Sequence, residues 1–389
     1  SVKIGYSFWG FLGDIKMDVN RLLASTPDGN ATYSWSIISK LQELGNDVVL
    51  MMPDRDEPAV KAVGTNILFK SFAKVKRISA YCNSIKTIHI ENAYRMSEEE
   101  VHECWDNAGC KDLDIVLHEW RMPIEGRNTR SSMATLGSEW QPDLFIQECL
   151  IDYCKKNNLK LVIFDLDYKL EESDVNKLIE DGIDLTVFEL GNKWKSKEWA
   201  KKVYIPFDFS SMYELKPNHW VDDKLVYVGN RYERDWCIDK YIPRNVDGVV
   251  VYGNWNEGGR DSSSRWPGIQ FRHRIQVCDM YEAYSKSATT ILLAKEDYCE
   301  YGFMTARVFE SLLFCSVPMF IEEYGSELIE QFTGDYSRML TVHSVEDVIK
   351  LSNKMYDNAV TRCYIINELR ERISKFMDVK FFVEELLSC

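Results

Sequence analysis

The stretch "EYGFMTARVFESLLFCSVPMFI" (residues 300–321) places an arginine and a glutamate, Arg307 and Glu310, three apart in an otherwise nearly apolar segment. Helical spacing puts the two charges on one face, while Val308, Leu312 and Cys315 define another. A helix starting near Met304–Thr305, just after a strand, would present free N–H groups to an anion at the strand's carboxyl end. Arg307 adds positive charge there. Glu310, one turn further in, is suited to accept hydrogen bonds from both hydroxyls of a ribose diol. The competing reading is an i,i+3 ion pair, worth only about 0.2–0.5 kcal/mol on a helix surface.

A second constellation lies upstream. "KLVYVGNRYERD" (224–235) is an apolar strand closed by Gly229 and followed by Arg231 and Arg234. Glycine at a strand's end lets backbone N–H groups approach a phosphate, and arginines reach it with bidentate geometry. It is neither a G-x-G-x-x-G nor a Walker loop, so a turn glycine with two surface arginines competes. A third candidate is "LKLVIFDLD" (159–167), a strand ending in Asp165 and Asp167. A carboxylate at that place can take the proton of an attacking hydroxyl, and Asp167 is the better placed of the two. Its alternative is an N-cap or turn aspartate. Asp165 shares its parity but lies deeper in the sheet.

The elements that must position these residues follow a β-α-β grammar. "VKIGYSF", "DVVLMMP", "DLDIVLHEW", "LKLVIFDLD", "DLTVFEL" and "KKVYIPF" read as strands, and "PDLFIQECLIDYCKKNN" as a helix. "GNATYSWSIISKLQELGN" is another helix, with Trp35, Ile38, Leu41 and Leu44 on one stripe and Gly45 as its stop. After an irregular stretch at 206–223 the grammar restarts with "KLVYVGN", "GVVVYGN", "TTILLAKE" and "SVPMFIEE". The expectation is α/β: two Rossmann-like, doubly wound domains facing each other across a cleft. They are assigned to residues 1–205 and 224–365, with 206–223 as linker. Residues 366–389 form a helical segment crossing back to the first domain.

Composition narrows the function classes. The chain has 389 residues, 45% apolar and 13% aromatic, enough for two packed cores and too much for long disorder. No apolar run approaches the roughly 20 residues that span a bilayer. "SVKIGYSFWGF" carries one lysine and no small-residue cleavage site, which argues against a signal peptide. The eleven cysteines include no C-x-x-C pair, and Cys149 and Cys315 sit in apolar runs as buried thiols of a reducing compartment. A cytoplasmic monomer without membrane contact is expected. A structural zinc site is not, and the six histidines are scattered. The net charge of −14 disfavours a polyanionic partner unless a local patch supplies the attraction. One such patch is "RMPIEGRNTR" (121–130), with Arg121, Arg127 and Arg130.

In "GNRYERD" and "ARVFESLLFCSVPMFIEE" the chain resembles the GT-B glycosyltransferases, and more closely the T-even phage DNA β-glucosyltransferases that modify hydroxymethylcytosine. The match covers roughly residues 224–325 and is much weaker before them. It implies a UDP-sugar donor, with Gly229, Arg231, Arg234 and Arg307 at diphosphate positions and Glu310 on the ribose. It implies a strand-end aspartate as general base, which falls on Asp167. It also implies double-stranded DNA containing hydroxymethylcytosine as the partner, in a phage-infected bacterial cytoplasm. A divalent metal is allowed but not required.

Many retaining relatives carry two glutamates flanking this helix. Here Glu300 is out of register, so inversion is expected. Glucose and a pentose such as arabinose both remain open as the sugar. A glycan or small-molecule acceptor, a non-catalytic nucleotide-binding module and a sugar-nucleotide epimerase are the other readings. Trp9, Phe11 and Asp28 are acceptor-side candidates, as are His118 and Glu119 past another strand; each has a plain packing role as its alternative.

Overall fold

The computed structural model describes residues 1–7, 30–51, 86–87, 97–120, 141–166, 168–209, 215–275 and 277–389. The apolar runs of the sequence become strands buried on both faces, which is why they lack the alternation of a half-exposed sheet. The strands of the first half are β1 (Lys3–Ser7), β2 (Asp47–Leu50), β3 (Lys86–Thr87), β4 (Ile115–Glu119), β5 (Lys160–Asp165), β6 (Leu185–Glu189) and β7 (Ala200–Lys202), of which β7 is only partly buried. In the second they are β8 (Asp223–Val228), β9 (Val249–Tyr252), β10 (Gln270–Arg272), β11 (Ser287–Leu292), β12 (Val317–Ile321) and β13 (Thr341–Val342).

The strands assemble into a seven-stranded sheet of order β3-β2-β1-β4-β5-β6-β7 and a six-stranded sheet of order β10-β9-β8-β11-β12-β13. Every pairing is parallel. Counted within itself, the second sheet runs 3-2-1-4-5-6, and the first has the same order with one further edge strand. That is the doubly wound Rossmann order, in which ligands bind at the carboxyl ends where the winding reverses. The reversals lie between β1 and β4 and between β8 and β11.

The chain divides into two compact units, Ser1–Pro206 with Val379–Cys389, and Phe207–Asp378. In the first unit, one face of the sheet packs Val116, Ile163 and Val187 against Trp105, Tyr153 and Val175 of the helices Glu98–Asn107, Gln141–Asn157 and Glu172–Glu180. On the other face Phe164 meets Tyr33 of the helix Asn30–Glu43 and Phe382 of the terminal helix Val379–Leu387. The helix Asn30–Glu43 buries Tyr33, Ile37, Ile38 and Leu41 and ends at Gly45 with φ 84°. Leu44, expected on that stripe, lies one residue past the helix and is exposed.

In the second unit, two buried arginines of the helix Ala359–Met377 hold the irregular stretch that precedes β8. Arg362 donates to the carbonyls of Asn218 and His219, and Arg370 to those of Leu215, Leu312 and Leu313. Backbone carbonyls satisfy the donor fork of Arg370 and the two terminal nitrogens of Arg362, whose Nε has no hydrogen-bond partner among the described residues. The cysteines whose side chains are described are free thiols. Cys149 and Cys315 are buried, and burial pushes the Cys315 thiol up.

Candidate functional site

The carboxyl end of β8 is braced from the side before any charged residue is placed. Gly229 N–H donates to Tyr252 O at 3.0 Å, and the Trp255 indole N–H donates to Gly229 O at 2.8 Å. Gly253, with φ 147°, runs so close that a Cβ there would lie 2.0 Å from Gly229 O. Only glycine fits. The Gly-Asn pairs at 229–230 and 253–254 then interlock: Asn254 N–H donates to the Asn230 side chain at 3.2 Å, and Arg231 N–H to the Asn254 side chain at 3.0 Å. The loop that carries the arginines is thereby fixed to the end of β9.

The three arginines have different surroundings. Arg231 makes a bidentate pair with Asp235, at 2.8 and 3.0 Å, reaches Ser262 Oγ at 3.3 Å and stacks on Trp266. Hydrogen bonding to Arg231 holds the Asp235 carboxyl below its usual range. Arg234 is buried, donates from Nη1 to Tyr232 O at 2.7 Å, and keeps its Nε without a hydrogen-bond partner among the described residues. No ion pair engages Arg234 among the described residues, which leaves a buried cation where an anion would be welcome.

Arg307 begins the helix Arg307–Leu313 and reaches back under the β8 loop. Its Nε donates to Val228 O, its Nη1 to Thr305 Oγ1 at 3.0 Å, and its guanidinium lies over the Tyr227 ring at 5.4 Å. Burial disfavours its charge, but Tyr227, Glu310 and Tyr284 outweigh that, so its pKa moves upward. A Cβ on Gly229 would stand 2.5 Å from Arg307 Nη2, so the glycine is what admits the arginine. Glu310 is 8% exposed and accepts from the Tyr284 hydroxyl at 3.2 Å. Arg307 and Glu310 form no ion pair with each other among the described residues; their partners are separate.

These residues gather at the β8/β11 reversal. Beside them the loops after β8, β9 and β11 line an open cleft of about 940 Å³, where Arg231, Arg260 and Lys295 stand among a larger number of carboxylates, Asp235, Asp261 and Asp297 included. Lys295 lies over Tyr232 and Tyr298, 3.7 Å from Glu233. The Asp297 Oδ1 is buried without a hydrogen-bond partner among the described residues. Arrayed cations, a bare glycine and a buried carboxylate can receive a phosphorylated diol. Sequence patterns flag the charges; they do not flag Tyr227, Tyr284, Thr305 or the paired asparagines, whose roles depend on strands distant in the chain.

In the first unit the strand-end polar residues are mostly occupied by their own loops. Asp165, 2% exposed, accepts from Lys169 N–H at 3.0 Å and from Leu170 N–H. Glu119 accepts from the Tyr6 hydroxyl at 3.0 Å, and His118 Nε2 contacts Gln147 Oε1 at 2.9 Å. Both are buried. Asp167, Trp9, Phe11, Asp28 and the basic loop Arg121, Arg127 and Arg130 lie outside the described residues. Among the described residues no group of three or more His, Cys, Asp or Glu side chains could hold a metal ion. No helix among them is long and apolar enough to cross a membrane.

No protein-family model matches the chain, and no curated protein matches it in sequence. Solved structures do match in fold. A DNA-modifying β-glucosyltransferase, crystallised with and without its substrate uridine diphosphoglucose, matches at TM-score 0.58 and 12% identity over 99% of each chain. The Anabaena protein HepE in complex with UDP-glucose matches at TM-score 0.56 and 10% identity, over 100% of this chain and 99% of that one. The T4 phage BGT in complex with its UDP-glucose substrate matches at TM-score 0.50 and 11% identity, over 99% of each. At these identities the likeness is one of fold: two Rossmann-like units in the GT-B manner.

Proposed function

We propose that the chain is a UDP-sugar-dependent glycosyltransferase whose second unit holds the donor. One observation carries the reading: a bare glycine, a buried arginine without an ion pair among the described residues, an anchored arginine and a buried glutamate converge at the β8/β11 reversal. The three structures reported above were all studied with UDP-glucose, which supports a nucleotide sugar as ligand. In this reading Arg231, Arg234 and Arg307 receive the diphosphate beside Gly229, and Glu310 receives the ribose diol. Arginines in a water-poor site stabilise the charge that builds on the leaving diphosphate as the bond to C1 breaks.

The acceptor in this proposal is the hydroxyl of 5-hydroxymethylcytosine in double-stranded phage DNA, in the infected host's cytoplasm. The sugar is glucose or a pentose such as arabinose. Asp167 takes the hydroxyl proton while the oxygen attacks C1 from the face opposite the nucleotide, inverting the configuration. A second reading keeps the donor and replaces DNA with a glycan or small molecule. The net charge of −14 favours it, since an acidic protein repels a polyanion.

The test is incubation with hydroxymethylcytosine DNA and a panel of UDP-sugars, followed by mass spectrometry of the released nucleosides. A hexosyl or pentosyl mass increment on hydroxymethylcytosine is the expected result. Hydrolysis of UDP-sugar with unmodified nucleosides would shift the assignment to the second acceptor class. Absence of UDP-sugar binding would remove the donor reading itself.

A further inference from the structure

Tyr227 lies two residues before Gly229 on β8, so their side-chain positions share one face of the sheet. Its phenol extends along the strand towards the carboxyl end, and its hydroxyl would be 2.5 Å from a Cβ on Gly229. The residue is fully buried, with the Trp255 ring packed edge-on against it at 6.3 Å. Its hydroxyl has no hydrogen-bond partner among the described residues. A buried hydroxyl without a partner is costly, and phenylalanine would fill the same space without that cost.

The neighbouring donor is similar. Arg307 commits Nε to Val228 O and Nη1 to Thr305 Oγ1, and its Nη2 makes no hydrogen bond among the described residues. That Nη2 also stands 2.5 Å from the Gly229 Cβ position. Both donors therefore lie beside the same bare α-carbon, and neither makes a hydrogen bond among the described residues.

We propose that the Tyr227 hydroxyl and Arg307 Nη2 together bind one non-bridging phosphate oxygen of a nucleoside diphosphate, admitted beside Gly229. The inference rests on the donor reading above and adds a neutral binding residue to it. An anionic oxygen is the acceptor that satisfies both donors at once, and a hydrogen bond to a charged acceptor is about twice as strong as a neutral one. The guanidinium's other two nitrogens hold it in place, and the ring beneath keeps it level, so little ordering remains for the ligand to impose.

The experiment is calorimetry of UDP and of uridine with the parent chain, Tyr227→Phe, Arg307→Lys and the double variant, with thermal melting as a fold control. Tyr227→Phe keeps the ring beneath the guanidinium and removes only the hydroxyl. It should weaken UDP roughly tenfold, leave uridine unchanged and melt no lower than the parent. Against Arg307→Lys the loss should be less than additive, because both donors serve one oxygen. UDP affinity unchanged in Tyr227→Phe, or an equal loss for UDP and uridine, overturns the inference while leaving the donor reading standing. A parent chain that binds no UDP overturns the donor reading and this inference with it.

Discussion

Arg307 and Glu310 stand one helical turn apart, yet each is held by a different element: the arginine by Val228 O at the end of β8, the glutamate by the Tyr284 hydroxyl. A surface ion pair of that spacing would need neither partner. The separation leaves each charge able to meet a different part of one ligand. Glu310→Gln should therefore weaken UDP-sugar binding while the melting temperature stays close to the parent's. The parent should discriminate against 2′-deoxy-UDP, and the variant should not, because only the diol reports on this carboxylate. A collapse in thermal stability with unchanged ribose discrimination would return the pair to a structural role.

The arginines should separate by their surroundings. Arg234→Ala and Arg307→Ala should each cost UDP binding about 1.5–3 kcal/mol, the range for a hydrogen bond to a charged group. Arg231→Ala removes the partner of a bidentate pair with Asp235 and should lower the melting temperature as well. Calorimetry and melting on the three variants check this, and unchanged affinity in all three would take them out of the donor site.

Asp167→Asn should preserve UDP-sugar affinity and lower kcat by about 10²–10⁴, the usual loss for a general base. Asp165→Asn is expected to act on stability, because Asp165 fastens the backbone N–H groups of Lys169 and Leu170 to the end of β5. Normal turnover in the Asp167 variant would move the base elsewhere. NMR of the product anomer reads inversion directly, and retained configuration at C1 would end that mechanism.

Replacing Arg121, Arg127 and Arg130 together tests the DNA acceptor. Each lost phosphate contact lowers the salt-dependence slope of binding by roughly one. A slope equal to the parent's, or no DNA binding by the parent at low salt, favours the glycan or small-molecule acceptor.

Glu98 supplies a pH signature in the first unit. A hydrogen bond with Asp152, partial desolvation of a largely exposed side chain and repulsion from Asp152, Glu99 and Glu148 raise its pKa to about 7 from 4.5. Between those two values the folded chain holds a proton that the unfolded chain has released, so stability falls as pH rises through that window and levels above it. Melting temperatures from pH 5 to pH 8 should show that fall in the parent and a flatter profile in Glu98→Gln. An identical slope in both would assign the pH dependence to other groups.

What the sequence by itself determined is the class of the elements and the identity of the charges. Strands buried on both faces are continuous apolar runs, and "KLVYVGN", "TTILLAKE" and "SVPMFIEE" announce β8, β11 and β12 for that reason. Three edge strands do not announce themselves: Lys86–Thr87, Gln270–Arg272 and Thr341–Val342 are two or three residues long, too short to carry a period, while "KKVYIPF" signals the edge strand β7 but overshoots it, since β7 ends at Lys202. Arg231, Arg234, Arg307 and Glu310 were legible as charges beside a strand-end glycine. Which of them keeps a donor to spare was decided only by the tertiary structure. Asp235, the first residue of the helix Asp235–Tyr241, engages Arg231 from four positions on, whereas Val228, 79 positions before Arg307 in the chain, fixes where that guanidinium points. Tyr227 read as one more apolar strand residue, because a hydroxyl's lack of a partner depends on what folds around it. Hydrogen bonding between distant segments is a property of the packed chain, and local pattern does not encode it.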